Sequence, residues 1–219
     1  MSLSRLVAFG CSNTYGASLD IYPEDFNIIN PSQFAWPQIL SELLKLRCVN
    51  QGVRGASNKQ ILHNILNFEF EENDIVFVCW THTERSCIIC SDEIIHLLPR
   101  FKHSKNTALR KKNESFYRHI YNPHDRIIEC FFYYNLASYH LKTKQIEHRF
   151  TLYEPHAFAV DIPWNRAPFL NTFFARFSYD YPKALDGRHP GKEAHQKFAL
   201  EIANRYLRND YYTIGKEPL

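Results

Sequence analysis

The sequence predicts an α/β fold in which helices alternate with the strands of a parallel sheet. Short apolar runs bounded by turn residues, typical of buried strands, alternate with longer segments whose apolar residues recur every three or four positions. The run from Asp74 to Trp80 is apolar almost throughout, as in a strand buried on both faces. Strands that alternate with helices usually pair in parallel, because the helix carries the chain back across the sheet.

In the first half of the chain, this pattern predicts three strands and two helices. The strands lie at about Arg5 to Phe9, at Cys48 to Asn50 and at Asp74 to Trp80. A helix at about Pro37 to Leu46 begins with a proline that suits a first helical turn. A second helix runs from about Asn58 to Phe68 and also gathers its apolar residues on one side.

The second half predicts two further helices and a fourth strand. Residues from about 85 to 125 break the alternation and form an irregular insertion rich in positive charge. A helix follows at Ile127 to Tyr139, then a strand at Arg149 to Tyr153, and the last helix begins at Pro190. The first of these helices has apolar spacing through Ile128, Phe132, Leu136 and Tyr139, and the last through Ala194, Phe198, Ile202 and Tyr206. With no internal repeat, residues 1–219 are expected to form one domain.

Composition excludes several classes of protein. The 26 Lys and Arg residues nearly balance 23 Asp and Glu, so we expect no specific nucleic-acid partner. No apolar run approaches the roughly 20 residues of a membrane span, and no signal peptide precedes the first strand. Six scattered cysteines suit a reducing compartment. The expected location is therefore cytoplasmic, away from membranes, and the oligomeric state stays open.

The candidate site joins the two ends of the chain. Asp186 lies three residues before His189, so its carboxylate can accept from one ring nitrogen while the other nitrogen acts as a base. Ser12 follows the first strand on a turn of small residues and supplies a candidate nucleophile. Gly55 follows the second strand and Thr81 to Thr83 the third. Because the carboxyl ends of parallel strands share one edge of the sheet, these residues are expected to converge there.

Other interpretations of the same residues stay open. The segment from Gly10 to Gly16 could cradle a phosphate, although Asp186 and His189 would then have no role. Ser12 and Asn58 could be helix caps, and His82 a structural histidine. Gly52 could serve only to allow a positive φ in a turn. Cys87 and Cys90 have the spacing of a metal half-site without a second pair, so no metal or cofactor is expected.

The motifs together resemble those of the SGNH/GDSL hydrolases, which are esterases and lipases with a three-layer α/β/α sandwich of the flavodoxin type. Gly10-Cys11-Ser12-Asn13-Thr14 is similar to their first block, Asn50 to Gly55 to their second, and Asp186 to Pro190 to their last. Trp36-Pro37 and the run from Gly55 to Asn58 are also similar to virus-associated members, which adds virion association to the expected locations. The widely spaced blocks occur in the family's order.

The resemblance implies a serine esterase that uses Ser12, His189 and Asp186 on an ester, most simply an O-acetyl group on a carbohydrate. Gly55 then stands at the position whose amide binds the oxyanion, and Asn58 is a candidate substrate contact. Two positions depart from the family: Cys11 replaces an Asp, and no Asn follows the third strand. His82 or Thr83 is the nearest substitute donor. Because of this departure, the alternative is a weak or inactive module of the same fold that binds a glycan or a protein.

Overall fold

The computed structural model describes residues 4–20, 30–99, 106–154 and 168–212 of the chain. Its strands are, in chain order, β1 (Arg5–Gly10), β2 (Arg47–Gly52), β3 (Ile75–Trp80), β4 (Ser86–Ile89), β5 (Ile94–Leu97), β6 (Glu147–Leu152), β7 (Phe169–Phe173) and β8 (Tyr211–Tyr212). Its helices are α1 (Ser12–Tyr15), α2 (Trp36–Leu44), α3 (Asn58–Leu66), α4 (Thr107–His119), α5 (Pro123–Thr143), α6 (Phe174–Asp180) and α7 (Lys192–Leu207).

The main sheet of the described residues has the strand order β2-β1-β3-β6-β7-β8. The first five strands are parallel, and β8 pairs antiparallel with β7 at the edge. From β1 the chain passes first to β2 on one side and then to β3 on the other. The crevice at the carboxyl end of β1 therefore lies at a switch point, where α/β sheets bind their ligands.

Helices cover both faces of this sheet, which confirms the predicted three-layer α/β/α architecture. Side chains alternate along β1, so Val7 and Phe9 pack toward α3 and α5 while Leu6 and Ala8 pack toward α2 and α7. The strand β3 is buried on both faces, as its continuous apolar run predicts. Within the described ranges, no helix combines the length and the apolar character that crossing a bilayer requires.

The insertion after β3 is more regular than the sequence predicts. Its described residues form a hairpin of β4 and β5, followed by the helix α4 and the start of α5. Tyr117 of α4 joins the parts, since its hydroxyl donates to the carbonyl oxygens of Glu84 and Leu97, both at 2.8 Å. The prediction of an irregular segment is therefore wrong for these residues. Strands of only four residues and a mostly polar helix have too few regularly spaced apolar residues to be recognised from the sequence.

Two helix predictions also need correction. Helix α7 begins at Lys192 rather than Pro190, because Pro190 forms a β-bridge with Lys183 and Gly191 is the N-cap. In α5, the predicted apolar side carries the exposed residues Phe132, Leu136 and Tyr139. The buried side consists of Cys130, Phe131, Tyr134, Ala137 and Leu141. Aromatic residues lie on both sides of this helix, so periodicity alone does not identify the side that packs on the sheet.

Candidate active site

The turn that carries Ser12 is held by close backbone packing. Ser12 is the first residue of the one-turn helix α1, directly beyond the carboxyl end of β1. A Cβ on Gly10 would lie 1.9 Å from Thr14 Oγ1, and one on Gly52 would lie 2.4 Å from the backbone nitrogen of Tyr15. Gly52 has no positive φ, so the sequence interpretation of this glycine is wrong. Both glycines let α1 approach the strand ends closely, and this approach places Ser12.

Asn50 of β2 forms a hydrogen bond that connects α1 to this strand. Its side-chain amide donates to the carbonyl oxygen of Thr14 at 2.7 Å, and its Oδ1 accepts from the Gly52 N–H at 2.9 Å. Strand β2 therefore reaches the nucleophile turn through a specific polar contact as well as through packing. This gives a physical reason for an asparagine at the start of the second block.

The turn between Lys183 and α7 holds Asp186 and His189 in a fixed relation. Asp186 Oδ1 accepts from the backbone N–H groups of Arg188 and His189 at 2.9 and 3.0 Å. Its second oxygen, Oδ2, accepts from His189 Nδ1 at 2.5 Å. The carboxylate thus orients both the turn and the imidazole ring, and it selects the tautomer that carries hydrogen on Nδ1.

These contacts keep Asp186 ionised. Its partial burial alone would raise the pKa, but hydrogen bonds from the Arg188 N–H, the His189 ring and the His189 N–H outweigh burial and lower the pKa to about 2. The carboxylate is therefore charged throughout the neutral and mildly acidic range. An ionised carboxylate on Nδ1 stabilises the imidazolium that forms when the other ring nitrogen takes a proton.

The structure brings the two ends of the chain into contact. His189 Nε2 lies 3.1 Å from Ser12 Oγ, so the side chains of Ser12, His189 and Asp186 form one hydrogen-bonded series. Ser18, just after α1, supports the series because its hydroxyl donates to Asp186 Oδ2 at 3.2 Å and its carbonyl accepts from the Leu185 N–H. Such a series can remove the hydroxyl proton of the serine as it attacks a carbonyl carbon.

A buried histidine lies behind this series. The His195 imidazole is 1% exposed, and its Nδ1 accepts from the first backbone N–H of α2, that of Trp36, at 3.1 Å. Burial, with a smaller contribution from the nearby His189, lowers the pKa of His195 to about 3. His195 is therefore a neutral structural residue that satisfies the start of a helix.

Ser12 and His189 open into a cavity of about 460 Å³, within the usual range for small-molecule sites. Its wall contains residues from several segments: Asn13 beside the serine, His82, Glu84 and Arg85 after β3, Leu98 and Pro99 after β5, Tyr153 and Glu154 after β6, Ser178 and Tyr179 of α6, and Lys183, Arg188 and Pro190 of the last turn. Charged and hydroxyl-bearing side chains make up most of this wall. The cavity suits a polar ligand better than a long acyl chain.

His82 is the substitute donor candidate that lies in this cavity. Its ring packs against Tyr153, with ring centroids 4.4 Å apart, and its Nδ1 lies 3.2 Å from Glu154 Oε1. A carboxylate can only accept, so Nδ1 carries the hydrogen. Nε2 then accepts hydrogen bonds when the ring is neutral and donates only when the ring is protonated. An oxyanion contact from His82 therefore requires the imidazolium form, paired with Glu154.

The other predicted contacts lie outside the wall of the Ser12 cavity. Thr83 belongs to the turn after β3 and does not line it. Gly55, with φ of 76°, lines an adjacent cavity, where its carbonyl accepts from His96 Nδ1 at 3.1 Å. Leu98 lines both cavities. The amide role of Gly55 stays a prediction.

Asn58 is fully engaged inside the protein. It is 1% exposed, donates to the Thr81 carbonyl at 3.1 Å and to Cys130 Sγ at 3.2 Å, and accepts from the Thr81 N–H at 2.8 Å. The N-cap of α3 is Ser57, whose hydroxyl accepts from the Gln60 N–H, so the helix-cap interpretation of Asn58 is wrong. These contacts favour a role in positioning the end of β3, and thereby His82, over direct contact with a substrate.

Several residues of the site had no signal in the sequence. Arg85, Glu154 and Ser18 are single polar residues in turns, and His96 lies on the short strand β5. Their positions depend on how the insertion and the loops pack. An amphipathic pattern in the insertion could have indicated the hairpin, but its strands are too short for that pattern to be distinctive.

No protein-family model and no curated protein matches this sequence. Among solved structures, a protein assigned to the G-D-S-L family from Desulfitobacterium hafniense matches with a TM-score of 0.54 and 12% identity, over 92% of this chain and 98% of that one. AlinE4, an esterase of the SGNH-hydrolase family, matches with a TM-score of 0.49 and 15% identity, over 95% and 97%. A GDSL-like lipase from Bacteroides thetaiotaomicron matches with 0.49 and 14%, over 94% and 89%.

The chain therefore has the three-layer α/β/α fold of the SGNH/GDSL hydrolases, and the predicted resemblance is confirmed at the level of the fold. The strand order β2-β1-β3-β6-β7 is that of the flavodoxin-like sheet. A shared fold does not by itself carry an activity, so the function is argued from the side chains of the site.

Proposed function

We propose that this protein is a serine ester hydrolase in which Ser12 is the nucleophile, His189 the general base and acid, and Asp186 the residue that orients His189. The observation that carries the proposal is the continuous hydrogen-bonded series from Ser12 Oγ through His189 to Asp186, with distances of 3.1 and 2.5 Å. Residues 12 and 189 are far apart in sequence, and this alignment at a strand-end crevice is the arrangement that acyl transfer requires.

In the first half of the reaction, Ser12 Oγ attacks the ester carbonyl carbon while His189 Nε2 takes the hydroxyl proton. The tetrahedral intermediate collapses, and the same proton passes to the departing alcohol. In the second half, His189 takes a proton from water, the hydroxide attacks the acyl-enzyme, and Ser12 leaves with that proton. Asp186 stays ionised throughout, because hydrogen bonds keep its pKa at about 2.

The negative charge on the carbonyl oxygen needs donors. Ser12 opens helix α1, and the first N–H groups of a helix have no partner within the helix. The amides of Ser12 and Gly55, with the His82 ring as imidazolium, are the proposed donors. Removal of one such donor typically lowers the rate by roughly 10²–10³.

The proposed substrate is an O-acetyl group on a carbohydrate. The many polar side chains of the cavity wall support a hydroxyl-rich alcohol. Few aliphatic side chains line the cavity, with Leu98, Pro99 and Pro190 as the main ones. A long acyl chain would cover charged and polar side chains of this wall without forming hydrogen bonds to them, which is unfavourable. An acetyl group is small enough to leave most of them in contact with water.

The alternative, a binding module that has lost catalysis, is supported by the absence of an asparagine after β3. The contacts of Asp186 argue against this alternative, because the Ser18 hydroxyl and two backbone N–H groups hold its carboxylate in the orientation that the triad needs. The phosphate-cradle interpretation is disfavoured by the contact of Ser12 Oγ with His189.

Fluorophosphonate labelling tests the proposal directly, because these probes react readily only with an activated serine. We expect labelling at Ser12 alone, and loss of both labelling and acetyl-ester hydrolysis in Ser12→Ala with unchanged thermal unfolding. Ser91→Ala is the matched control and should keep both labelling and hydrolysis, since Ser91 is an exposed serine in the turn between β4 and β5. Labelling at another serine, or full hydrolysis by Ser12→Ala, would refute the assignment.

A further inference from the structure

The wall of the Ser12 cavity contains a guanidinium group that the proposed chemistry does not use. Arg85 ends the turn after β3, where its N–H donates to the His82 carbonyl at 3.3 Å, and β4 begins at the next residue. The side chain lines the same cavity as Ser12 and His189. Arg85 is therefore anchored by backbone contacts beside the place where an ester would lie.

The charge of Arg85 has no compensating anion in the described part of the chain. Its Nη1 is buried and makes no hydrogen bond, and no carboxylate oxygen of the described residues lies within 4.0 Å of its nitrogens. A partly buried cation without a partner is unfavourable, and a nearby anion recovers that cost. A bound anion facing the accessible side of the guanidinium would supply this compensation.

The other charged groups of the cavity balance one another in number. Lys183 and Arg188 add two positive charges to the wall, while Glu84 and Glu154 add two negative ones. Glu154 lies 3.2 Å from His82 Nδ1, and Glu84 is exposed. With Arg85, the wall carries three cationic side chains against two carboxylates. The wall therefore has an excess of one positive charge, which favours an anionic ligand over a cationic one.

We propose that the preferred ester carries an anionic group, a carboxylate or a sulfate, which Arg85 binds while Ser12 attacks the ester carbonyl. This inference rests on the proposed function and specifies its substrate class. The planar guanidinium can present two parallel N–H groups to such an anion, a geometry that a lysine cannot reproduce. Arg85 is then a specificity-determining residue.

The test compares matched pairs of charged and neutral esters. One pair, meta-acetoxybenzoate and its methyl ester, places the carboxylate on the alcohol side. The other, mono-para-nitrophenyl glutarate and para-nitrophenyl butyrate, places it on the acyl side. A pair of acetylated phenols with and without a sulfate tests the second anion. The measured quantity is the ratio of kcat/KM for the charged ester to that for its neutral partner.

We expect the wild-type protein to prefer the charged ester in at least one pair. Arg85→Gln should lower that ratio by roughly 10- to 100-fold, mainly through KM, because a hydrogen bond to a charged group contributes about 1.5–3 kcal/mol. Arg85→Lys should give an intermediate ratio, since it keeps the charge and loses the paired donors. Arg47→Gln, which removes a positive charge at the start of β2, should leave the ratio unchanged.

A wild-type ratio near one, or equal ratios for wild type and both Arg85 variants, would overturn this inference while ester hydrolysis stands. If the wild-type protein hydrolyses none of the esters, the proposed function fails, and binding of meta-hydroxybenzoate followed by NMR decides the anion site separately. Binding that Arg85→Gln abolishes would support the site, and absence of binding to the wild type would overturn it. Circular dichroism melting of both variants checks that they fold.

Discussion

Two regions of this molecule contribute to the candidate site in different ways. Two turns meet at the carboxyl end of β1, the turn after β1 with Ser12 and the turn between Lys183 and α7 with Asp186 and His189; we call them the strand-end turns. Several backbone contacts hold each of them. The insertion after β3 supplies Arg85 to the wall of the Ser12 cavity, and on its hairpin His96 lines the adjacent cavity and contacts the Gly55 carbonyl through its side chain. The reacting groups therefore depend on turns that backbone contacts hold at the edge of the sheet, whereas the wall that selects a ligand depends on an added segment.

The largest expected effect concerns the strand-end turns. Asp186→Asn should lower kcat by roughly 10³–10⁴, as the same change does in the Ser-His-Asp template, because the amide no longer favours hydrogen on Nδ1 of His189. Steady-state kinetics with an acetyl ester measures the loss. Since the Asp186 pKa is about 2, the carboxylate stays charged between pH 7 and 4, and any loss of rate in that interval belongs to other groups. A kcat of Asp186→Asn within tenfold of the wild-type value would show that Asp186 does not orient His189 for catalysis.

The next prediction concerns His82, where the sheet passes into the insertion. His82→Ala should lower kcat by roughly 10²–10³ with little change in KM, if the ring donates to the oxyanion. Because Glu154 accepts from Nδ1, only the imidazolium donates through Nε2, so Glu154→Gln should lower kcat in the same way. His82→Asn should keep most of the activity.

Thr83→Val is the matched control for His82, since Thr83 does not line the cavity. If Thr83→Val lowers kcat and His82→Ala does not, Thr83 rather than His82 is the oxyanion donor. If His82→Ala raises KM and leaves kcat unchanged, the ring binds a substrate hydroxyl instead, and the oxyanion has only backbone donors.

A third prediction concerns the packing behind the strand-end turns. The pKa of buried His195 is about 3, whereas an unfolded histidine titrates near pH 6.5. Between these values the unfolded chain binds a proton that the folded protein does not, so stability falls as pH falls. This group alone removes about 2–3 kcal/mol of stability between pH 6 and pH 4.

Urea denaturation at several pH values measures the slope of stability against pH. His195→Gln should flatten it, because the amide can accept from the Trp36 N–H without titrating. Exposed His119 provides the control, since His119→Gln should leave the slope unchanged. Equal slopes in wild type and His195→Gln would show that this histidine is not kept neutral by burial.

The smallest expected effect concerns the hairpin. His96 donates through Nδ1 to the Gly55 carbonyl at 3.1 Å and so positions the turn whose amide is a proposed oxyanion donor. A neutral hydrogen bond contributes about 0.5–1.5 kcal/mol, so His96→Ala should lower kcat about three- to tenfold without raising KM. His96→Gln, which keeps a donor, should restore most of the loss. A change in KM alone would mean that His96 contacts the substrate rather than the turn.

The parts of the fold that the sequence predicted are those with strong local patterns. The strands β1 and β3 and the helices α2, α3 and α7 were located to within a few residues, because their apolar periodicity is long or continuous. The strand β7, the hairpin and α4 were missed. Short strands and polar helices lack such a pattern, and contacts with distant segments stabilise them.

The residue types of the site and their order were predictable without a structure: a serine after the first strand, glycines after the second and an Asp-x-x-His turn before the last helix. Each of these is a local pattern, such as an apolar strand run that ends in small residues or a carboxylate three positions before a histidine. Tertiary structure decided which side chains share the cavity. His82 and Arg85 line it and Asn58 does not, because the amide of Asn58 binds the end of β3 inside the core. Such pairings depend on the packing of segments far apart in the chain, which no local pattern encodes.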